Sequence, residues 1–207
     1  MSKVKIQGNA SGTGTFTISA PNSNTDRSLT LPDGAGEILL ANGDGSALTG
    51  ISQGITEADV WVKSNNDSTS GNAEQTETNW VNPTGTNRTT LGTGMTHSSG
   101  VFTFPSTGKY YVQFKLAGQA SSSGESWIAP KIHVSLDGGS NWTLIAYGYT
   151  SGYANYGYSA AAEELIDVTD VSNVKVRFRI QSSDSVYLYG STDYSLTTAT
   201  FLKLGET

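Results

Sequence analysis

The 207 residues carry a formal net charge of −6 and no cysteine, with 36% hydrophobic and 14% charged residues. The missing thiols exclude a disulfide framework, a thiolate metal site and a cysteine nucleophile. The sequence shows no run of Lys and Arg such as a nucleic-acid backbone requires. The apolar fraction is too low for one core spread over the whole chain, and a compact domain of about 100–150 residues plus an extension fits better. Glycine, serine, threonine and asparagine make up most of the rest; they favour turns and hydroxyl-bearing strand faces over helix interiors, so an all-β chain is expected. The start MSKVKIQGNA has no apolar stretch after its lysines, and nowhere do about 18 apolar residues run together. The reading is a protein made in the cytoplasm without a signal peptide or membrane insertion.

Residues 1–50 differ in texture from the remainder of the chain. Val4, Ile6, Phe16, Ile18, Leu29 and Leu31 fall in short period-two runs between turn signals at Gly8-Asn9, Gly12-Thr13-Gly14, Pro21-Asn22-Ser23-Asn24 and Pro32-Asp33-Gly34. Strands this short and this poor in apolar residues cannot bury a core within one chain. Three copies wrapped about one axis can, each giving one apolar residue per layer, so an extended triple-stranded β region is expected, against the alternative of a disordered arm. The stretch GTFTISAPNSNTDRSLTLPDGAGEILL, followed by ANGDGSALTGI, resembles a segment recurrent in tail-fibre and other virion proteins of tailed phages. Its matching elements are Thr15–Pro21, Asp26–Gly34 and Asp44–Ile51. That resemblance implies a location in the virion, with the N-terminal part docking to other virion proteins or forming a shaft.

Residues 51–58 look like a linker or neck, and from Asp59 a continuous β pattern runs to the end. Strand-like runs fall at 59–63, 76–81, 101–104, 109–118, 126–136, 141–150, 163–168, 173–181, 186–190 and 196–205. Val174, Val176, Phe178 and Ile180 alternate with Lys175, Arg177, Arg179 and Gln181, so one face is buried and the other wet. Runs of this kind with no 3.6 period predict two packed antiparallel sheets, a sandwich or jelly roll. The only helix candidate is Ser159–Leu165, SAAAEEL.

Within this region Gly100–Phe114, GVFTFPSTGKYYVQF, carries an aromatic strand, a Pro–x–x–Gly turn and a second aromatic strand. Pro105 sets φ where no ladder donor is needed and Gly108 can take a positive φ, while Phe102, Phe104, Tyr110, Val112 and Phe114 form alternating apolar rows. The pattern resembles the tumour-necrosis-factor and complement globular-head family, and the final LTTATFLKLG, with Phe201, looks like that family's closing strand. The resemblance implies a ten-stranded jelly roll over about 60–205, with those residues in its core, assembled as a homotrimer. The loops are long and polar, and no acidic calcium positions of the family are identifiable.

Chemistry-bearing patterns are sparse. Ser135-x-Asp137-x-Gly139-x-x-Trp142 matches the Asp-box of sialidases and β-propellers, a hairpin device in which Asp caps turn amides and Trp packs beneath; it reads as a turn. His97 and His133 have no zinc spacing. Glu163-Glu164 and Asp167-x-x-Asp170 could be imagined as a glycosidase pair, but adjacent carboxylates on a strand face opposite ways. Asn42-Gly-Asp44-Gly-Ser46 places Gln53 where a calcium loop needs a bidentate Glu, and reads as a turn. No metal, cofactor or catalytic residue is assigned. The recognition candidate is the run Tyr147, Tyr149, Tyr153, Tyr156 and Tyr158, with Trp127 beside it: rigid amphipathic rings among small residues suit sugar stacking. The alternative places these tyrosines on strand faces or a trimer interface.

The function expected from the resemblances is a non-enzymatic, trimeric virion structural protein, a tail fibre or host-attachment protein that could contact a surface glycan or receptor. A capsid decoration or head-fibre protein is the alternative. A glycan-degrading depolymerase is disfavoured, because the chain has no room for a long β-helix with clustered carboxylates.

Overall fold

A computed structural model describes residues 54–69, 71–83, 88–120, 125–153 and 155–207, with short pieces between 11 and 28. The chain divides into two units, Met1–Thr49 and Gly50–Thr207. In the first, the Thr25 amide donates to the Ser23 hydroxyl at 3.2 Å. The triple-stranded arrangement expected of residues 1–50 lies outside the described residues.

The described residues of the second unit form fourteen strands: β1 (Ala58–Lys63), β2 (Asp67–Ser68), β3 (Gln75–Thr76), β4 (Trp80–Val81), β5 (Thr96–Ser98), β6 (Val101–Thr103), β7 (Gly108–Ala120), β8 (Glu125–Ser135), β9 (Thr143–Tyr147), β10 (Thr150–Tyr153), β11 (Gly157–Val168), β12 (Lys175–Ser182), β13 (Val186–Leu188) and β14 (Thr198–Gly205). They form two antiparallel sheets. In the first, β7 is central: β11 lies along one edge, while β14 and then β13 follow each other along the other, with β1 and β4 beyond β14. In the second, β12 sits between β8 on one side and β6 and β3 on the other, and β8 carries β9 and β10 on its outer edge. The long strands β7, β8, β11, β12 and β14 alternate between the two sheets along the chain, which makes the domain a jelly roll.

Period-two burial marks β7, β11 and β12, whereas β8 is buried on both faces over residues 128–133. On β7, Tyr110, Val112, Phe114 and Leu116 are buried, and on β12, Val176, Phe178 and Ile180 oppose them. Phe102, Phe104, Phe201 and Trp80 complete the seam between the sheets. The ring of Phe178 lies 5.0 Å from Phe114, 5.4 Å from Phe102 and 5.8 Å from Trp80, mostly in tilted and edge-on contacts that suit the ring quadrupoles. At the start of β7, Gly108 takes φ +142°, and a Cβ there would meet Gly205 O at 2.6 Å.

The expected helix at Ser159–Leu165 is corrected: the segment belongs to β11. Tyr158, Ala160, Ala162, Ile166 and Val168 face the core while Ser159, Ala161, Glu163 and Leu165 face out. Helix propensity is worth only tenths of a kcal/mol per residue, and a twelve-residue ladder with β7 overrides it. Two expected strands are interrupted. The run 76–81 breaks at Asn79, which has φ 60°. The run 141–150 breaks opposite Pro130, which accepts from the Gly148 amide at 2.9 Å but has no N–H to donate to that neighbour.

Buried polar side chains anchor the long connection between β4 and β5. Asp59 accepts from the Trp61 indole, the Met95 amide, Thr90 and Asn82. Lys63, fully buried, pairs with Glu77 at 2.7 Å, and burial raises the Glu77 carboxyl against the opposing pull of Lys63. Because Phe102 contacts Trp61, Trp80, His97, Phe178 and Phe201 at once, Phe102→Ala is expected to cost about 3–5 kcal/mol in denaturant unfolding. A loss below about 1 kcal/mol would show that the seam is not the core's main tie.

Candidate functional site

The outward face of the second sheet follows from its register. Ile128 and Ile132 on β8 point inward, so Trp127, Lys131, His133 and Ser135 lie on the opposite face of the sheet, where Lys131, His133 and Ser135 are covered by neighbouring side chains and buried. Pairing sets Arg179 beside Lys131, Arg177 beside His133 and Lys175 beside Ser135 on β12. On the other edge Tyr147 lies beside Lys131 and Leu144 beside His133. Two strips result: cations along β8 and β12, and aromatic rings along β9, β10 and the start of β8.

The six residues of the aromatic candidate do not stay together. Trp127 and Tyr149 stack with ring centroids 5.9 Å apart at 26°. Tyr147 is exposed, its ring centroid 5.5 Å from Lys131 Nζ. Tyr153 and Tyr156 are exposed on the turn from β10 to β11, closed by Tyr156 N donating to Tyr153 O at 3.2 Å. Tyr158 is corrected: it is 6% exposed and its hydroxyl bonds Ser126, because its place in the period of β11 faces the core. It cannot contact a ligand on this surface.

Ser135, Asp137, Gly139 and Trp142 form the turn between β8 and β9. The Ser135 hydroxyl donates to Asp137 Oδ1 and accepts from the Gly139 amide, while Asp137 also accepts from the Asn141 amide and side chain. Those Asn141 bonds, with the Ser135 bond, hold the Asp137 carboxyl down to about 2. Gly139 has φ +104°, and its carbonyl accepts the Trp142 indole N–H at 2.9 Å. The indole so fixed lies 4.3 Å beneath the Arg177 guanidinium, a cation–π contact. The turn therefore places a cation as well as closing a hairpin.

Glu74, reaching over from the chain before β3, gathers the cationic strip. Its carboxylate lies 3.1 Å from Lys131 Nζ, 2.9 Å from Arg179 Nη1 and 3.2 Å from His133 Nε2. Burial raises the Glu74 carboxyl, but the Lys131 hydrogen bond and the charges of Arg179 and Lys131 outweigh it and lower it overall. No basic cluster is visible along the sequence; the fold makes one by pairing the wet faces of β8 and β12. Lys131, His133, Arg177, Arg179 and Glu74 are thus site residues that sequence reasoning missed.

The carboxylates weighed as catalytic are engaged locally. Glu163 accepts from Tyr111 and Gln113 across the strand, Glu164 from its neighbour's amide at Leu165, and Asp170 from Ser172 and Asn173 in its own turn. His97 accepts from the Gly100 amide and packs on Phe102. Among the described residues no group of three His, Asp or Glu side chains is placed to hold a metal ion.

This architecture is the tumour-necrosis-factor type of jelly roll. Eiger TNF from S. frugiperda superimposes with a TM-score of 0.53 at 11% identity, over 75% of this chain and 96% of that one. Murine APRIL at pH 5.0 gives 0.52 at 12% identity, over 72% of this chain and 98% of that one. No family model matches the chain, and no curated protein matches it by sequence.

His133 supplies a pH test. Burial pushes its imidazole down to about 4, the charges of Arg177, Arg179 and Lys131 act in the same direction, and Glu74 opposes them. An unfolded chain keeps the ordinary value of about 6.5, so the unfolded state takes up the proton first. The stabilisation is complete above about pH 6.5 and is lost as pH falls towards 4. Between about pH 7 and 5 the melting temperature is expected to fall more steeply in the unaltered protein than in His133→Gln. Equal slopes would contradict a neutral, buried imidazole.

Proposed function

We propose that the chain is a non-enzymatic structural and attachment protein of a bacteriophage virion, with residues 1–50 docking to the particle or forming a shaft and the jelly roll projecting as a trimeric head. The observation that carries the attachment reading is the strip of Trp127, Tyr149 and Tyr147 on a rigid sheet: large rings are held out at little further entropy cost. The phage-type segment between Thr15 and Ile51 supports the location, and the local engagement of Glu163, Glu164 and Asp170 supports binding rather than catalysis. Three modest sites on one axis give avidity without a strong single contact.

The outward face of the first sheet supports self-association. Leu202, Tyr111 and Leu165 lie side by side across β14, β7 and β11. Leu165 is 62% and Leu204 52% exposed, beside a hollow of about 290 Å³ that both line. An apolar row of this kind is covered when a second and third copy pack on it. Native mass measurement is expected to give three chains, and Leu165→Asp with Leu202→Asp to give monomers of unchanged β content. A stable monomer of the unaltered chain at micromolar concentration would remove the trimer. Trp127→Ala with Tyr149→Ala is expected to weaken adsorption to host cells by about tenfold or more; unchanged adsorption would assign the pair to structure alone.

A further inference from the structure

The attachment face carries more positive charge than its surroundings explain. Four of the chain's twelve Lys and Arg residues, Lys131, Lys175, Arg177 and Arg179, sit on the outward rows of β8 and β12, in a chain whose net charge is −6. Among the described residues a single carboxylate, Glu74, answers them, and it is divided between Lys131 and Arg179. Lys175 is tied to Thr103 and to the Val171 carbonyl. Arg177 has no carboxylate partner among the described residues; its Nε lacks a hydrogen-bond partner and the guanidinium rests on the Trp142 ring. A half-buried guanidinium resting over an indole, beside Arg179, has lost water and gained a like charge without gaining an anion.

We infer that this face binds an acidic polysaccharide, its anionic groups seated on Arg177 and Arg179 and its sugar rings lying on Tyr147, Tyr149 and Trp127, while the buried Lys131, bonded to Glu74 and Gln181, adds its charge from beneath. The dimensions fit. Outward residues on one strand are about 6.7 Å apart, so Arg177 and Arg179 are spaced for anionic groups on one or two neighbouring sugar rings. The contact between Lys131 and the Tyr147 ring joins the cationic strip to the aromatic one. A guanidinium fork takes a carboxylate or sulfate through two hydrogen bonds. Nucleic acid is the poorer match, since a phosphate every few ångströms needs a longer cationic track, and a neutral glycan would leave Arg177 unanswered. The inference rests on the attachment reading for where such a polymer is met, not for the binding itself.

The test uses the full chain and three immobilised polymers: alginate for carboxylate, dextran sulfate for sulfate and plain dextran as the uncharged control. Binding to at least one charged polymer is expected, weakening as salt rises from about 50 to 200 mM, with none to dextran. Arg177→Ala and Arg179→Ala are each expected to weaken it by about tenfold or more, with Arg88→Ala unchanged and with thermal unfolding confirming that each variant is folded. The difference between the charged polymers identifies the anion. No binding to either charged polymer, equal binding to dextran, variants that bind like the unaltered chain, or single-stranded DNA bound as tightly with the same dependence on Arg177 would each overturn the inference. Polymer binding without adsorption to cells would leave it standing and remove the attachment reading. Adsorption without polymer binding would do the reverse.

Discussion

Phe178 is the residue on which the rest of the surface depends. It lies in the middle of β12 with Phe102, Phe114, Phe201 and Trp80 around it, and β12 itself is paired along most of its length with β8. A strand has a period of two, so the insertion of Phe178 between the sheets also determines what faces water. Val176 and Ile180 follow it inward; Lys175, Arg177, Arg179 and Gln181 are turned out. A slip by one residue would put guanidinium groups into an aromatic core, where an unpaired charge costs far more than any strand pairing returns. The core thus enforces the composition of the outer face without touching a ligand.

The two outer faces differ in chemistry. The first sheet turns out Leu202, Tyr111 and Leu165 with small neighbours such as Ala117, Ser159 and Ala161, a surface suited to close contact with further copies. The second turns out rings and cations, and its turn motif has two roles. Asp137 closes the hairpin by accepting turn amides, and the Gly139 carbonyl fixes the Trp142 indole beneath Arg177. In this protein the Asp-box is a support for a charged side chain, which is a physical use of the motif that needs no catalysis.

Much of the jelly roll was legible in the sequence because its long strands alternate cleanly: β7, β8, β12 and β14 coincide with expected runs to within about two residues at each end. The short pieces β2 and β5 were missed, since two or three polar residues carry no periodic signal. The segment SAAAEEL misled because Ala and Glu favour helix locally, while its true determinant is a ladder with residues about 50 positions away. The site was legible only in part. Five tyrosines announced an unusual surface, yet whether each ring faces out depends on the phase of its strand, and Tyr158 belongs to a different strand from Tyr147. The cation cluster left no local trace at all: alternate Lys and Arg on β12 look like an ordinary wet face, and only pairing with β8 brings Lys131 and His133 to them.

Sheet register gathers rings and cations on one outward face, and the recognition of acidic sugar inferred for that face is tested most directly by a crystal structure of the chain with an acidic oligosaccharide. The expected result is an anionic group within hydrogen-bonding distance of Arg177 and Arg179, with a sugar ring against Tyr147, Tyr149 or Trp127. An oligosaccharide seated on the outer face of the first sheet, or Arg177 turned away from an empty second sheet at saturating ligand, would contradict it.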